Sequence, residues 1–248
     1  MAEGQIEAVL HQGVELAVLR QGGVQPTFVW LGGFRSDMAG TKAEALAEWA
    51  AARGQAFVRF DYSGHGRSGG RFEDGTLSRW LGDTLAVLDT IPGPLALVGS
   101  SMGGWIALLA ARALPARVKA LLLIAPAADF TERLMWPALS ADEQRRLMEE
   151  GRLEQASQYS ADPNVLTRAL IEDGRKHLLM TAPIVFDGPV TILQGGADPD
   201  VPQAHVEALA ALIRARALDM RVIPDGDHRL SRPQDIAALL DAAEALAR

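Results

Sequence analysis

The seven residues from Val118 to Ile124 read VKALLLI, and this nearly unbroken apolar run constrains the fold more than any other segment. A strand with so little alternation has no wet face, so it belongs inside a parallel sheet that helices cover on both sides. Thr27–Leu31 (TFVWL), Ala56–Phe60 (AFVRF), Leu95–Val98 (LALV) and Val190–Leu193 (VTIL) repeat the pattern. Helical stretches separate them: the alanine-rich Ala43–Ala52, Leu77–Leu88, the segment after Met102, and Ala204–Ala217, with Asp235–Leu246 at the end. Two alternating segments, Gln5–Leu10 and Val14–Arg20, read as a hairpin ahead of this series, and Met220–Ile223 as its last strand. The expectation is an α/β protein with a mostly parallel eight-stranded sheet and helices on both faces.

The strand and helix rhythm breaks between about Asp129 and Pro183, where charged helical segments replace strands. That stretch is predicted to be a small helical cap inserted at 129–183. It is too short and too embedded between strands to be an independent domain, so residues 1–248 read as one domain. The formal charge of −7 offers no basic field for a phosphate backbone, and nucleic acid is not an expected partner. With no cysteine, disulfides, thiolate zinc sites and a thiol nucleophile are all excluded. Met1–Gly4 lacks the charged and apolar regions of a signal peptide, and no apolar run approaches the roughly 20 residues of a membrane span. The expected location is cytoplasmic.

The chemistry centres on Gly99-Ser100-Ser101-Met102-Gly103, which lies between a predicted strand and a predicted helix. G-x-S-x-G in that setting is the pattern of a nucleophile elbow, a strained turn that presents the middle serine at a helix N-terminus. Ser100 falls outside the glycine spacing. A serine hydroxyl needs a base, and there are five histidines to choose from. His11 lies in the hairpin, His65 in an upstream turn, His177 in the cap and His205 at a helix start, whereas His228 follows the last predicted strand. Asp198 comes after a strand-ending glycine pair, between the serine and the histidine in the chain, and can fix the histidine tautomer. Asp200 is its neighbouring rival, and Asp198 is preferred for its position. An oxyanion hole needs two backbone donors; the expected ones are the amides of Met102 and of Phe34, in the loop after the third strand.

Three segments go further than a general pattern: Leu31–Ala43 (LGGFRSDMAGTKA), Arg59–Gly66 (RFDYSGHG) and Val98–Trp105 (VGSSMGGW). They resemble the mitochondrial palmitoyl-protein thioesterase branch of the α/β hydrolases, a branch also described as an acyl-glucuronide esterase. The likeness continues through Asp198, Val201, Pro202 and Asp227-His228-Arg229, and thins in the cap. It implies the α/β-hydrolase fold and a serine, aspartate and histidine triad at Ser101, Asp198 and His228. The chain starts almost directly at the domain, and in this it resembles a bacterial relative more than an imported enzyme.

The expected activity is cleavage of carboxylic esters or thioesters through an acyl-enzyme on Ser101, without cofactor or metal. Its substrate would be a small molecule or an acylated protein. Cap residues Leu134, Met135, Trp136, Leu147, Met148, Leu170, Leu178, Leu179 and Met180 suit an acyl tunnel and suit a cap core equally well. Perhydrolysis on the same triad and a non-catalytic ligand-binding module are the alternative readings. Haloalkane cleavage is disfavoured, because it wants a carboxylate where Ser101 stands.

Overall fold

A computed structural model describes residues 5–155 and 164–247. The chain runs β1 (Glu7–His11), β2 (Val14–Gln21), β3 (Val24–Leu31), α1 (Thr41–Arg53), β4 (Gln55–Phe60), α2 (Leu77–Asp89), β5 (Leu95–Ser100), α3 (Met102–Ala113) and β6 (Val118–Ile124). An insertion follows, with α4 (Trp136–Ala138), α5 (Ala141–Glu150), β7 (Arg152–Gln155), β8 (Asn164–Thr167) and α6 (Arg168–Gly174). The chain then returns through β9 (Ile184–Gly195), α7 (Gln203–Leu212), β10 (Ile213–Ile223) and α8 (Pro233–Leu246).

Eight strands form one sheet in the order β1-β2-β4-β3-β5-β6-β9-β10. β2 is antiparallel to β1 and β4, and every other pairing is parallel. Successive strand residues feed opposite faces, as the pleat requires. Phe28 and Trp30 pack with Leu46 and Trp49 of α1 and Leu239 of α8, while Val29 and Leu31 pack with Trp80 of α2 and Ile106 of α3. Both layers are buried, which accounts for the continuous apolar strands.

The chain leaves β3 to pair with β4 on one side and comes back to pair β5 on the other. This reversal opens a crevice beyond the carboxyl ends of β3 and β5, where open α/β sheets bind their ligands. The register sets Leu31 beside Gly99, so the loop after β3 meets the turn after β5 there.

Between β6 and β9 the described residues are mainly helical and also carry the antiparallel pair β7 and β8. Each of those strands is four residues long, too short to show a period in sequence. Residues 156–163 of the expected cap, like 1–4 and 248, lie outside the described residues. Fully buried Asp129 clasps the two ends of the insertion, accepting hydrogen bonds from the Leu179 and Met180 amides at 2.8 Å each. The helix expected over Ala204–Ala217 stops at Leu212. Residues 213–217 join β10 instead, where exposed Arg214 and Arg216 alternate with buried Ile213 and half-buried Ala215. That period of two overrides the helical preference of the alanines. No described helix is long and apolar enough to cross a membrane.

Candidate active site

The elbow is built by close packing. A Cβ on Gly99 would sit 2.3 Å from the Gly103 carbonyl oxygen, and one on Gly103 would sit 2.0 Å from that of Leu31, so neither position admits a side chain. Between them Ser101 adopts φ 56° and ψ −119°, a conformation that costs an L residue of order 1–3 kcal/mol. Hydrogen bonds hold it there: its amide donates to the Ile124 carbonyl at 2.8 Å, and its carbonyl accepts from the Ala127 amide at 3.1 Å. The strained serine stands at the start of α3, with its hydroxyl facing the crevice.

Asp198 and His228 sit on the loops after β9 and β10, and those loops are stitched together. The Gly196 amide donates to Ile223 and the Ala197 amide to Gly226, at 2.8 and 2.9 Å. Gly195 lies so close that a Cβ there would be 2.4 Å from the Gly226 oxygen. The glycine pair thus permits the contact that brings acid and imidazole together.

His228 Nδ1 lies 2.8 Å from Asp198 Oδ2, and its Nε2 lies 3.0 Å from Ser101 Oγ. A carboxylate only accepts, so Nδ1 carries the hydrogen and Nε2 offers a lone pair to the serine hydroxyl. Asp198 Oδ1 is held by the amides of Asp200 and Val201 at 2.9 Å each. Burial pushes the Asp198 carboxyl up, but the hydrogen bond from His228 and the two amides outweigh it and keep the group below its ordinary value. The Asp198 side chain is fully buried and that of His228 is 21% exposed, leaving the imidazole open to the crevice. Asp200 contributes its amide to this arrangement, and its carboxylate lies within 4.8 Å of both partners.

Met102 is the first residue of α3, so its amide has no carbonyl one turn back to donate to. Gly33 approaches the elbow closely: a Cβ on it would be 3.4 Å from that of Ser101, which puts the following Phe34 backbone beside the same serine. Among the described residues no hydrogen bond takes the Phe34 amide.

Ser101 opens into a cleft of about 1280 Å³. Its lining combines apolar side chains, Phe34, Phe72, Phe130, Leu134, Met135, Leu139, Val165 and Leu166, with polar ones that include Ser36, Thr41, Lys42, Asp227 and Arg229. Burial, reinforced by Arg229 and opposed by Asp227 and Asp235, pushes the Lys42 ammonium down to about 8. Of the cap residues named from sequence, Leu134 and Met135 line the cleft, whereas Leu147, Leu170, Leu179 and Met180 are buried in the core. The other four histidines are engaged elsewhere: His11 with Asp83, His65 with the Arg35 amide, His177 with Ser78 and His205 with the Ala128 carbonyl. Sequence reasoning set His65 aside because its turn lies far upstream, and only the folded chain brings it to the loop after β3.

Residues 29–235 match the family model described as serine aminopeptidase, S33. The chain is 36% identical over 227 residues to the mitochondrial palmitoyl-protein thioesterase ABHD10 of Mus musculus, covering 91% of this chain and 76% of that protein. Among solved structures, alpha/beta hydrolase domain-containing protein 10 from mouse superposes with a TM-score of 0.90 at 33% identity, covering 98% of each chain. An Agrobacterium vitis S4 protein assigned as a hydrolase superposes with a TM-score of 0.94 at 48% identity, covering 99% of each chain.

Proposed function

Since the chain belongs to the serine aminopeptidase S33 family of α/β hydrolases, we propose that it is a serine hydrolase cleaving carboxylic esters or thioesters through an acyl-enzyme on Ser101. One observation carries this reading: the unbroken line of hydrogen bonds from Asp198 through His228 to a strained serine at the mouth of a large cleft.

In this mechanism His228 Nε2 takes the Ser101 proton as Oγ attacks the acyl carbonyl, and buried Asp198 stabilises the imidazolium. The carbonyl oxygen, now negative, receives hydrogen bonds from the amides of Met102 and Phe34. The leaving alkoxide or thiolate departs with the proton from His228. Water then repeats the attack on the acyl-enzyme, with His228 again as base, and frees the carboxylic acid.

The cleft exceeds the roughly 300–1,000 Å³ of an ordinary small-molecule pocket, and its apolar lining suits a long acyl chain. Thioesters with such chains are the substrates named for the mitochondrial relatives, and we carry that substrate class to this protein as part of the proposal. At about 0.8 kcal/mol per buried methylene, kcat/KM rises by up to about fourfold for each carbon until the pocket is full. A p-nitrophenyl ester and acyl-thioester series measures this. Labelling by a fluorophosphonate, mapped by mass spectrometry, should fall on Ser101 and vanish in Ser101→Ala. A folded protein that neither labels nor turns over any member of the series would sink the reading in favour of a binding module.

A further inference from the structure

Residue Arg35, next to Phe34, has φ 60°, a left-handed conformation that bulky residues avoid. Something outside the loop must hold it. The Ser36 amide closes the turn onto the Gly33 carbonyl at 3.1 Å, but that bond lies within the loop. The external tie to the Arg35 backbone comes from its amide, which donates to His65 Nε2 at 3.3 Å.

His65 is built to accept. Its Nδ1 faces the Ser63 carbonyl at 3.2 Å, and since a carbonyl only accepts, the hydrogen sits on Nδ1 and leaves Nε2 bare. The ring is 4% exposed and boxed edge-to-face by Tyr62, Phe72 and Trp80, with centroids 5.5, 5.1 and 5.3 Å away. Burial in this box pushes the imidazole down to about 4, against the Ser63 bond and Asp83, so it is neutral near pH 7.

The same two loops are tied again three residues on, where the Met38 amide donates to Asp61 Oδ1 at 2.7 Å, while the Arg67 amide holds Asp61 Oδ2 within its own loop at 2.8 Å. Phe34 and Arg35 lean on the box as well: the Phe34 ring packs on Phe72 at 4.9 Å, and the Arg35 guanidinium lies 4.6 Å from the centroid of Phe72.

We propose that His65 is a positioning residue: its bare Nε2 fixes the Arg35 amide and so aims the preceding Phe34 amide at the oxygen that becomes negative beside Ser101. The inference rests on the serine-hydrolase reading above. His65 touches no reacting atom; it acts through the loop. Its value is in the transition state, because a ground-state carbonyl gains little from a donor placed for the oxyanion.

Three variants test this. His65→Phe keeps an aromatic ring in the box without the acceptor, His65→Met keeps length without a strong acceptor, and His65→Gln can return an oxygen near the position of Nε2. Kinetics on the best p-nitrophenyl ester should show kcat reduced by about 10–100-fold in the Phe and Met variants, with KM within about twofold. Affinity for a chain-matched trifluoromethyl ketone, which mimics the tetrahedral adduct, should fall by the same factor as kcat/KM. Affinity for the corresponding fatty acid should hold, and His65→Gln should recover most of the loss. His65→Met carries the test should His65→Phe fail to fold.

Folded variants with unchanged kcat would overturn the inference while leaving the serine-hydrolase reading in place. So would a loss that weakens fatty acid and ketone equally, the mark of a collapsed site. A wild type that hydrolyses no ester and leaves Ser101 unlabelled would overturn the parent reading, and this inference with it.

Discussion

Of the clusters among the described residues that bring a serine, a histidine and an aspartate within hydrogen-bond reach, two invite comparison, and only one has the connections that the proposed hydrolysis needs. At the cleft, Asp198 binds His228 Nδ1 and His228 Nε2 faces Ser101 Oγ, so the acid orients the imidazole and the imidazole accepts from the serine. Between α2 and the end of the insertion, the connections among Ser78, Asp173 and His177 run differently. Asp173 takes the Ser78 hydroxyl at 2.8 Å and the Ser78 amide at 2.7 Å, and His177 Nε2 lies 2.7 Å from the same Ser78 oxygen. With its hydrogen committed to Asp173, Ser78 receives one from His177, so that imidazole donates where a base would accept. Ser78 also sits in the first turn of α2 rather than at a strained elbow. Composition of a cluster says little; the direction of each hydrogen bond decides what it can do.

The largest contrast should come from breaking the acid partner in each cluster. Asp198→Asn presents an amide to Nδ1 and favours the wrong imidazole tautomer, so kcat should fall by about 10⁴-fold with the protein still folded. Asp173→Asn should leave kcat within about threefold and instead lower stability by about 1–3 kcal/mol, the cost of weakened charge-assisted bonds at a buried group. Steady-state kinetics beside urea unfolding separate the two. Equal kcat losses in both variants would mean that the second cluster is coupled to the chemistry.

Acid titration gives the next effect. His65 is held at about 4 against an ordinary 6.5, so the unfolded chain binds the extra proton between those values and the folded chain does not. Stability from this group is complete above about pH 6.5 and drains away as pH falls toward 4, by about 3 kcal/mol in all. Asp198 and Asp173 lie below 3.8, so their contributions persist through that window and are lost only at lower pH. Urea midpoints taken from pH 7.5 to 4.5 should therefore fall more steeply for wild type than for His65→Gln. Parallel curves would show that the buried imidazole is not the acid-sensitive group.

What the sequence made legible follows the range of the interaction. The central strands β3 to β6 read correctly because burial on both faces leaves a local mark, and the elbow did because Gly99 and Gly103 must lack side chains where the chain packs on itself. Ser101, Asp198 and His228 could be named from chain order, and the fold brings all three within hydrogen-bond reach. The hairpin of the insertion left no such mark, since four-residue strands carry no measurable period. The roles of His65, Asp129 and Asp173 were invisible for another reason. Each works across 30 to 95 residues of chain, on a partner that only the tertiary fold supplies.

The smallest effect sharpens the comparison most. Ser78→Ala deletes a hydroxyl that touches neither the cleft nor its lining, so kcat and KM should stay within about twofold of wild type. It also removes one of the bonds that fasten the insertion's last helix to α2, while the Ser78 amide can still bind Asp173. The expected cost is about 1 kcal/mol, because one hydrogen bond is lost and His177 remains 17% exposed to water that can replace the serine oxygen. Hydrogen exchange should then localise the change, with faster exchange at Leu179 and Met180 if the clasp at Asp129 loosens along with it, and unchanged exchange there if the two fastenings act independently. The first outcome would make the insertion's C-terminal anchor one cooperative unit. The second would make Ser78 a local staple whose resemblance to the cleft serine ends at its residue types.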